Sequence, residues 1–144
     1  MKNTNFGRWL FSFLLGLFVP YSATVSPRIV AIEKGSSILE LRERRKIRNH
    51  LRSIHAIALA NIAELASGLA MLSALPENSR GIVRSINIEY SKKARGTLIV
   101  KGHASPAQNL TENIEELATA EIFDSSGELV AKMKVIWQVG PNAQ

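Results

Sequence analysis

The stretch NHLRSIHAIALANIAELASGLAMLSAL, residues 49–75, decides the fold of this chain. From Ile54 to Leu75 nearly every position is apolar or small, and a segment that is apolar around most of its circumference is predicted to be a buried helix. Such a helix is roughly 30 Å long, the width of a small domain and also of a bilayer. Many of its residues are Ala and several are polar, whereas a membrane span needs about 20 strongly apolar residues. We therefore expect a helix that is wrapped by a sheet.

The polar residues of this helix are concentrated in one place. Asn61, Glu64 and Gly68 lie three and four positions apart, so they share one narrow stripe of the helix surface. Burying a carboxylate without a partner is costly. Glu64 is therefore predicted to lie in a cleft or beside a partner, and it is the candidate catalytic group.

Length and composition bound the remaining possibilities. The 144 residues, 46% of them hydrophobic, suffice for a single domain over 1–144. The absence of Cys excludes disulfides, thiolate nucleophiles and thiolate metal sites. His50 and His103 are not paired at metal-ligand spacing, so we expect neither a metal nor a cofactor. The net charge of +6 favours an anionic partner: nucleic acid, a membrane surface or a phosphate-bearing metabolite such as coenzyme A.

Two interpretations of residues 1–20 are open. Apolar residues recur at helical spacing, which predicts an N-terminal helix that packs on the domain and ends at Pro20. Alternatively, basic residues ahead of the apolar run from Trp9 to Val19 outline a signal peptide. The bulky Tyr21 at the −3 position of a cleavage after Ala23 speaks against it. The run is also too short to span a membrane.

Residues 23–33 and 36–48 are predicted to be two strands joined by a turn at Lys34 and Gly35. In the second strand four basic residues share one parity and would point to one face: Arg42, Arg44, Lys46 and Arg48. This face is either solvated or an anion-binding surface. It lacks interleaved aromatic residues, so we do not expect nucleic-acid binding.

Four strands are predicted after the helix, over 82–91, 96–104, 116–123 and 128–139. Residues Asp124–Gly127 are predicted to form a hairpin turn between the last two. On the first of these strands we place four residues on one face: Ile82, Ile86, Ile88 and Tyr90. The order helix, two strands, long helix, four strands predicts an α+β architecture in which a curved antiparallel sheet wraps the long helix. This is the hot-dog fold.

The loop and helix resemble the signature of hot-dog acyl-CoA thioesterases, specifically the phenylacetate-type enzymes and the tetrameric acyl-CoA thioesterase-like group that includes the DUF4442 proteins. In that pattern an Asn stands six positions before a His-Gly-Gly, and an Asp or Glu stands nine after the His. Asn49, His55 and Glu64 have this spacing, while Ala56 and Ile57 replace the two glycines. The later segment NIEYSKKARG, residues 87–96, is also similar to the family.

The residue types suit thioester hydrolysis, which needs a group that activates water and donors for the developing oxyanion. Burial raises the pKa of a carboxylate such as Glu64 and strengthens it as a base. The free amides at the helix N-terminus, near Ala56, favour negative charge. These two positions are about 12 Å apart along one helix and cannot serve one carbonyl together. The resemblance implies a site shared between subunits of a dimer, which pairs further into a tetramer.

The remaining site residues follow from the resemblance and the helix stripe. Asn49 and His55 either position the carbonyl or water, or merely cap the turn and the helix. Asn61 and Gly68 are predicted to contact substrate. Three basic residues either line a mouth for the nucleotide end of coenzyme A or form a solvated turn: Lys92, Lys93 and Arg95. Glu64 itself is either catalytic or part of a salt bridge at a subunit interface.

The leading hypothesis is a cytoplasmic acyl-CoA thioesterase of lipid metabolism, active as a homo-oligomer and without stable membrane insertion. Glu64 would be its base or nucleophile and the Ala56 amide its oxyanion donor. The alternative is a non-catalytic hot-dog module that binds acyl-CoA or lipid. Nucleic-acid binding through the basic strand ranks last.

Overall fold

The structure is a computed structural model that describes residues 19–143. The described chain contains a short helix, a long helix, one 3-10 turn (Arg45–Ile47) and six strands. In chain order the helices and strands are α1 (Pro20–Ala23), β1 (Arg28–Glu33), β2 (Ser36–Arg42), α2 (Ala56–Ala74), β3 (Ser79–Tyr90), β4 (Thr97–Ala104), β5 (Ile114–Phe123) and β6 (Leu129–Pro141).

The six strands form one antiparallel sheet in the order β1-β2-β4-β5-β6-β3. The sheet wraps α2, whose apolar residues form the core together with the helix-facing residues of the strands. This confirms the predicted hot-dog fold. By length and apolarity alone α2 could cross a membrane, but here it is the central helix of the core.

Helix α2 begins and ends where its sequence predicts, within two residues at the start and one at the end. His55 is the N-cap, and its Nδ1 accepts a hydrogen bond of 3.0 Å from the Ile57 N–H. Leu75 follows the last helical residue in an extended conformation, directly before Pro76. The long Ala-rich segment between them has high helix propensity.

Strand β4 packs unusually close to the middle of α2. A Cβ at Gly102 would lie 2.1 Å from the Ala66 carbonyl oxygen, so a larger residue could not occupy this position. From the neighbouring strand, the buried Ser37 Oγ donates a 2.7 Å hydrogen bond to the same oxygen. The middle of α2, including Glu64, is thereby held firmly against the sheet.

The prediction of strands over 23–33 and 36–48 was wrong at both outer ends. β1 begins only at Arg28, and β2 ends at Arg42. Ile47 is buried, and its carbonyl oxygen accepts a hydrogen bond from the His55 N–H, so the chain turns inward after β2. The four basic residues therefore do not share one strand face.

The prediction that Ile82 shares one face of β3 with Ile86, Ile88 and Tyr90 was also wrong. Val83 pairs with Trp137 whereas Ser85 pairs with Ile136, so Arg84 is a bulge. Directly opposed residues of an antiparallel pair point to the same face. Ile82, which pairs with Gln138, therefore lies on the outer face, opposite Ile86, Ile88 and Tyr90.

The predicted N-terminal helix over 1–20 lies outside the described residues except for its last two. There Val19 has a non-helical backbone conformation, and Pro20 is the first residue of α1. Proline suits this position because the first helical N–H has no partner within the helix.

Candidate active site

A cleft of about 280 Å³ opens between the N-terminus of α2, the loop before it and the end of β3. Residues from three segments line it: Asn49, Leu51, Ser53, Ile54, Ala56, Leu59, Tyr90, Ser91, Lys92, Lys93 and Ala94. Four of the predicted site residues are among them. The fold therefore brings together Asn49, Ala56, Lys92 and Lys93, which are distant in the chain.

Two polar side chains at this cleft have local structural roles. Asn49 Oδ1 accepts hydrogen bonds from the Leu51 N–H (2.9 Å), the Ser53 N–H (3.2 Å) and the Ser53 hydroxyl (3.1 Å). His55, beside the cleft, uses Nδ1 to cap α2. The Asn49 Nδ2 amide is left as the donor available for another contact.

The amide of Ala56 is the predicted oxyanion donor at the helix N-terminus. Amides in the first turn have no acceptor within the helix. His55 takes up the Ile57 N–H, and the Ala56 N–H has no hydrogen-bond partner in the part of the chain that the structure describes. The Ala56 carbonyl oxygen, in contrast, accepts a 2.8 Å hydrogen bond from the Tyr90 hydroxyl.

Tyr90 is a cleft residue that the sequence did not single out. Its hydroxyl ties the end of β3 to the first turn of α2, and burial raises the pKa of the phenol. The strand pattern placed Tyr90 on one face with Ile86 and Ile88, but nothing local marked position 56 as its partner. The contact joins residues 34 positions apart.

The three predicted coenzyme A cations differ in their surroundings. Lys92 Nζ donates to Asp124 at 2.7 Å and also to Glu128, which ties it to the β5–β6 hairpin. These hydrogen bonds raise the pKa of Lys92 and hold that of Asp124 well below its usual range. Lys93 and Arg95 are exposed and form no hydrogen bond or salt bridge with another described residue. The charge of Arg95 does help to lower the pKa of Glu43.

Glu43 joins the loop after β2 to the loop that carries Arg95. Its carboxylate accepts from the Gly96 N–H at 2.6 Å and from Arg48 at 2.8 Å. These hydrogen bonds lower the pKa of Glu43, the one from Gly96 contributing most. The basic segment that follows β2 is thereby held next to the cleft.

Glu64 lies elsewhere, near the middle of α2. It is half-buried, and its carboxylate has no hydrogen bond or ion pair among residues 19–143. Burial raises its pKa above the ordinary glutamate value. One turn before it, Asn61 Nδ2 is 3.4 Å from the Tyr21 carbonyl oxygen, a long contact that fastens α1 to α2.

Trp137 on β6 is the second residue near the candidate site, after Tyr90, that the sequence did not single out. A Cβ added at Gly68 would lie 3.5 Å from Trp137 Cζ2 and 3.8 Å from Glu64 Oε1. The Trp137 Nε1–H is buried and unpaired among the described residues. Gly68 therefore separates an unpaired donor from an unpaired acceptor.

Comparison with known proteins places this chain in a family. The profile described as "Domain of unknown function (DUF4442)" matches residues 7–139. The chain belongs to the DUF4442 family. No curated protein sequence matches it.

Solved structures resemble this DUF4442 chain throughout its fold. PA5026 from Pseudomonas aeruginosa, a probable thioesterase, is 21% identical with a TM-score of 0.82, over 92% of this chain and 95% of its own. The E. coli PaaI protein, from the phenylacetic acid degradation operon, is 14% identical with a TM-score of 0.75, over 94% of this chain and 96% of its own. The protein smu.793 from Streptococcus mutans, solved with acetyl CoA, is 19% identical with a TM-score of 0.68, over 81% and 90%. At these identities the likeness confirms the hot-dog fold.

Within one DUF4442 chain the candidate residues form two groups. The cleft group lies around the N-terminus of α2 and comprises Asn49, Ala56, Lys92 and Lys93. His55 and Arg95 do not line the cleft, but each is next in the chain to a residue that does. The mid-helix group comprises Asn61, Glu64 and Gly68, and none of these lines the cleft. With about 1.5 Å per helical residue, Glu64 is roughly 12 Å along the axis from Ala56.

Proposed function

We propose that this protein is an acyl-CoA thioesterase in which Glu64 activates a water molecule for attack on the thioester carbonyl or attacks it directly. The observation that carries the proposal is the half-buried carboxylate in the middle of α2, which has no partner among residues 19–143. A carboxylate that burial makes more basic is better matched to proton abstraction near neutral pH. A structural salt bridge within the chain would instead require a cation beside it.

The second requirement is a donor for the carbonyl oxygen as it becomes negative. We assign this role to the Ala56 N–H, which has no described partner and lies at the positive end of the helix dipole. The Asn49 Nδ2 amide lines the same cleft and would position the carbonyl or the water, with His55 holding the helix terminus.

Since these groups are too far from Glu64 in one chain, we infer that a second copy completes the site. Strand β3 is an edge of the sheet, is 12 residues long and is exposed along most of its length. It carries apolar side chains that are 36% exposed at Val83 and 48% exposed at Ile86. A long, apolar edge strand favours pairing with another chain.

Antiparallel pairing of β3 with β3 of a second copy would create a two-fold axis. In each chain α2 runs antiparallel to its own β3, because Ala56 contacts Tyr90 and Leu75 lies beside Gly81. The N-terminus of each α2 would then lie toward the middle and C-terminal half of the other α2. We infer a dimer with two shared sites, which pairs further into a tetramer.

The nucleotide end of the substrate would lie against the basic rim of the cleft. Lys93 lines the cleft, and Arg52 and Arg95 follow lining residues directly in the chain. None of the three forms a salt bridge among the described residues, and the charge of Arg95 also helps to lower the pKa of Glu43. Exposed cations that no salt bridge holds suit phosphate groups. The acetyl CoA bound by smu.793 supports the same substrate class. A soluble substrate of this kind fits a cytoplasmic protein.

The test is hydrolysis of a panel of acyl-CoAs of different chain length by wild type, Glu64→Gln and Glu112→Gln. Glu112 is exposed and serves as the matched control. We expect Glu64→Gln to lower kcat by about 10²-fold or more and the control to match wild type. Full activity in Glu64→Gln would remove Glu64 from the mechanism.

One observation favours a second candidate, a hot-dog module that binds acyl-CoA or lipid without turnover. Asn49 Oδ1 and His55 Nδ1 are both engaged in local hydrogen bonds, and Ala56 and Ile57 replace the flexible glycines. Saturable binding of acyl-CoA by calorimetry, without product from any chain length, would select this candidate.

A further inference from the structure

The space above Gly68 brings together two polar groups that have no partner in the described part of the chain. The Trp137 side chain is buried, with 5% of the residue exposed, and its Nε1–H has no acceptor among residues 19–143. The Glu64 carboxylate has no donor in the same part of the chain. Buried polar groups in proteins are nearly always paired, so one unpaired donor beside one unpaired acceptor calls for an explanation.

The indole of Trp137 is oriented with its N–H edge away from the C-terminal end of α2. Cε3 lies 3.1 Å from the position of a Cβ at Gly81, near the C-terminus of α2. In an indole ring Cε3 and Nε1 lie on opposite edges. Cζ2, which is attached to the same ring carbon as Nε1, is the atom nearest to Gly68. The N–H is therefore on the Gly68 side of the ring, and Glu64 Oε1 is also next to Gly68.

We propose that Trp137 is the positioning residue of Glu64, and that its Nε1–H donates a hydrogen bond to the ionised carboxylate across the space above Gly68. A rotation of the Glu64 side chain toward the indole would satisfy both groups. Because Gly68 has no side chain, the path between them stays open. This bond would hold the carboxylate in one orientation toward substrate, a role that rests on the proposed function.

The groups around this pair leave few other titrating candidates. Glu64 is the only charged residue of α2. On β6 the helix-facing neighbours of Trp137 are apolar. Tyr90 is the titratable residue on the helix-facing side of β3, and Glu116 of β5 pairs directly with Trp137. Glu116 Oε1 already accepts a 2.9 Å hydrogen bond from the Ala107 N–H, which makes it the matched control.

The first test is spectroscopic and needs no activity. Trp9→Phe in the full chain leaves Trp137 as the only tryptophan, since the protein has two. Its fluorescence is expected to change with pH in one transition as Glu64 ionises. Glu64→Gln in this background should abolish the transition, and Glu116→Gln should retain it. A transition that survives Glu64→Gln, or no transition in the parent, would overturn the proposal.

The second test is the pH dependence of kcat/KM for Trp137→Phe. Loss of a hydrogen bond to the charged form disfavours ionisation, so the acid limb should move to higher pH by roughly one unit. Well above that limb the variant should regain most of the activity. A merely structural role would lower kcat/KM at every pH without moving the limb. If wild type hydrolyses no acyl-CoA, the proposed function fails, while the fluorescence titration still decides the Trp137–Glu64 contact.

Discussion

The two ends of the candidate site are built in opposite ways. At the N-terminus of α2, Asn49, His55 and Tyr90 all have hydrogen-bond partners within the chain. Near the middle of the same helix, Glu64 and the Trp137 N–H have none among the described residues. The side chains around the cleft are held by partners within the chain, whereas the unpaired groups of the Glu64 region need a further contact. We interpret the cleft as a finished half-site and the Glu64 region as the half that substrate and a second copy complete.

The largest expected effect comes from separating the two copies. Ile86→Asp places a charge on the helix-facing side of the exposed edge strand, where pairing of β3 with a second β3 would bury it. We expect monomers in sedimentation velocity and a fall in kcat/KM of more than about 10²-fold, because a buried unpaired charge is costly.

Asn87→Asp is the matched control for this variant. Asn87 pairs with Lys134 on the outer face of the same strand, so the same charge should remain solvated. A monomeric Ile86→Asp variant with normal kcat/KM would show that one chain suffices for catalysis.

A slightly smaller effect is expected from removing the proposed oxyanion donor. Ala56→Pro deletes one N–H, and proline is favoured at the first helical position. The extended conformation of His55, with ψ of 138°, also suits a residue before proline. We expect kcat to fall about 10²-fold with an unchanged circular dichroism spectrum.

Ala56→Gly keeps the amide and should retain most of the activity. Equal rates for Ala56→Pro and Ala56→Gly would assign the oxyanion contact to another donor.

Lys92 and Lys93 both line the cleft and provide a comparison between neighbouring cations. Lys93→Ala should raise KM for acyl-CoA several-fold and weaken its dependence on salt, because an exposed cation contacts phosphate mainly through charge. Lys92→Ala should change KM less and instead lower the thermal midpoint slightly, because Lys92 is tied to Asp124 and Glu128. The reverse pattern would place the phosphate at Lys92.

The smallest effects concern stability and have opposite signs in the two regions. Asn49→Ala removes the acceptor of three hydrogen bonds and should lower the free energy of unfolding by about 1–2 kcal/mol.

Glu64→Gln should raise the thermal midpoint near neutral pH. The raised pKa of Glu64 means that the folded state binds more protons than the unfolded state, so wild type loses stability as pH rises through that range.

This gain should disappear below the ordinary pKa of glutamate, where both states are protonated. Thermal unfolding followed from pH 4 to pH 8 measures it. A Glu64→Gln variant that is less stable than wild type at pH 8 would mean that the hydrogen bond from Trp137 stabilises the ionised carboxylate by more than its burial costs.

Much of the fold could be predicted because its signals are local. The unbroken apolar character of α2 and the alternation along β6 each lie within one segment, and both were confirmed. Glu64 was singled out as a candidate because it is the only charged residue in an apolar helix. The strand predicted over 36–48 was wrong because the burial of Ile47, which depends on distant residues, turns the chain.

The parts of the site that sequence did not reveal depend on contacts across the fold. Tyr90 and Trp137 looked like ordinary strand residues, and only the folded sheet places them beside Ala56 and Gly68. The bulge at Arg84 likewise reversed the face of Ile82 without a local signal. The resemblance to the thioesterase signature singled out Asn49, and the free amides of the helix N-terminus singled out Ala56, but neither revealed that Asn49 Oδ1 is already engaged.

The most direct measurement is complementation between two inactive variants. Glu64→Gln and Ala56→Pro would be purified separately, mixed, dissociated and allowed to reassemble, and then assayed for acyl-CoA hydrolysis. If each site takes Glu64 from one copy and Ala56 from the other, a mixed dimer has one intact site, and statistical reassembly restores about a quarter of wild-type activity. If both residues served the same chain's site, the mixture would stay as inactive as its two components.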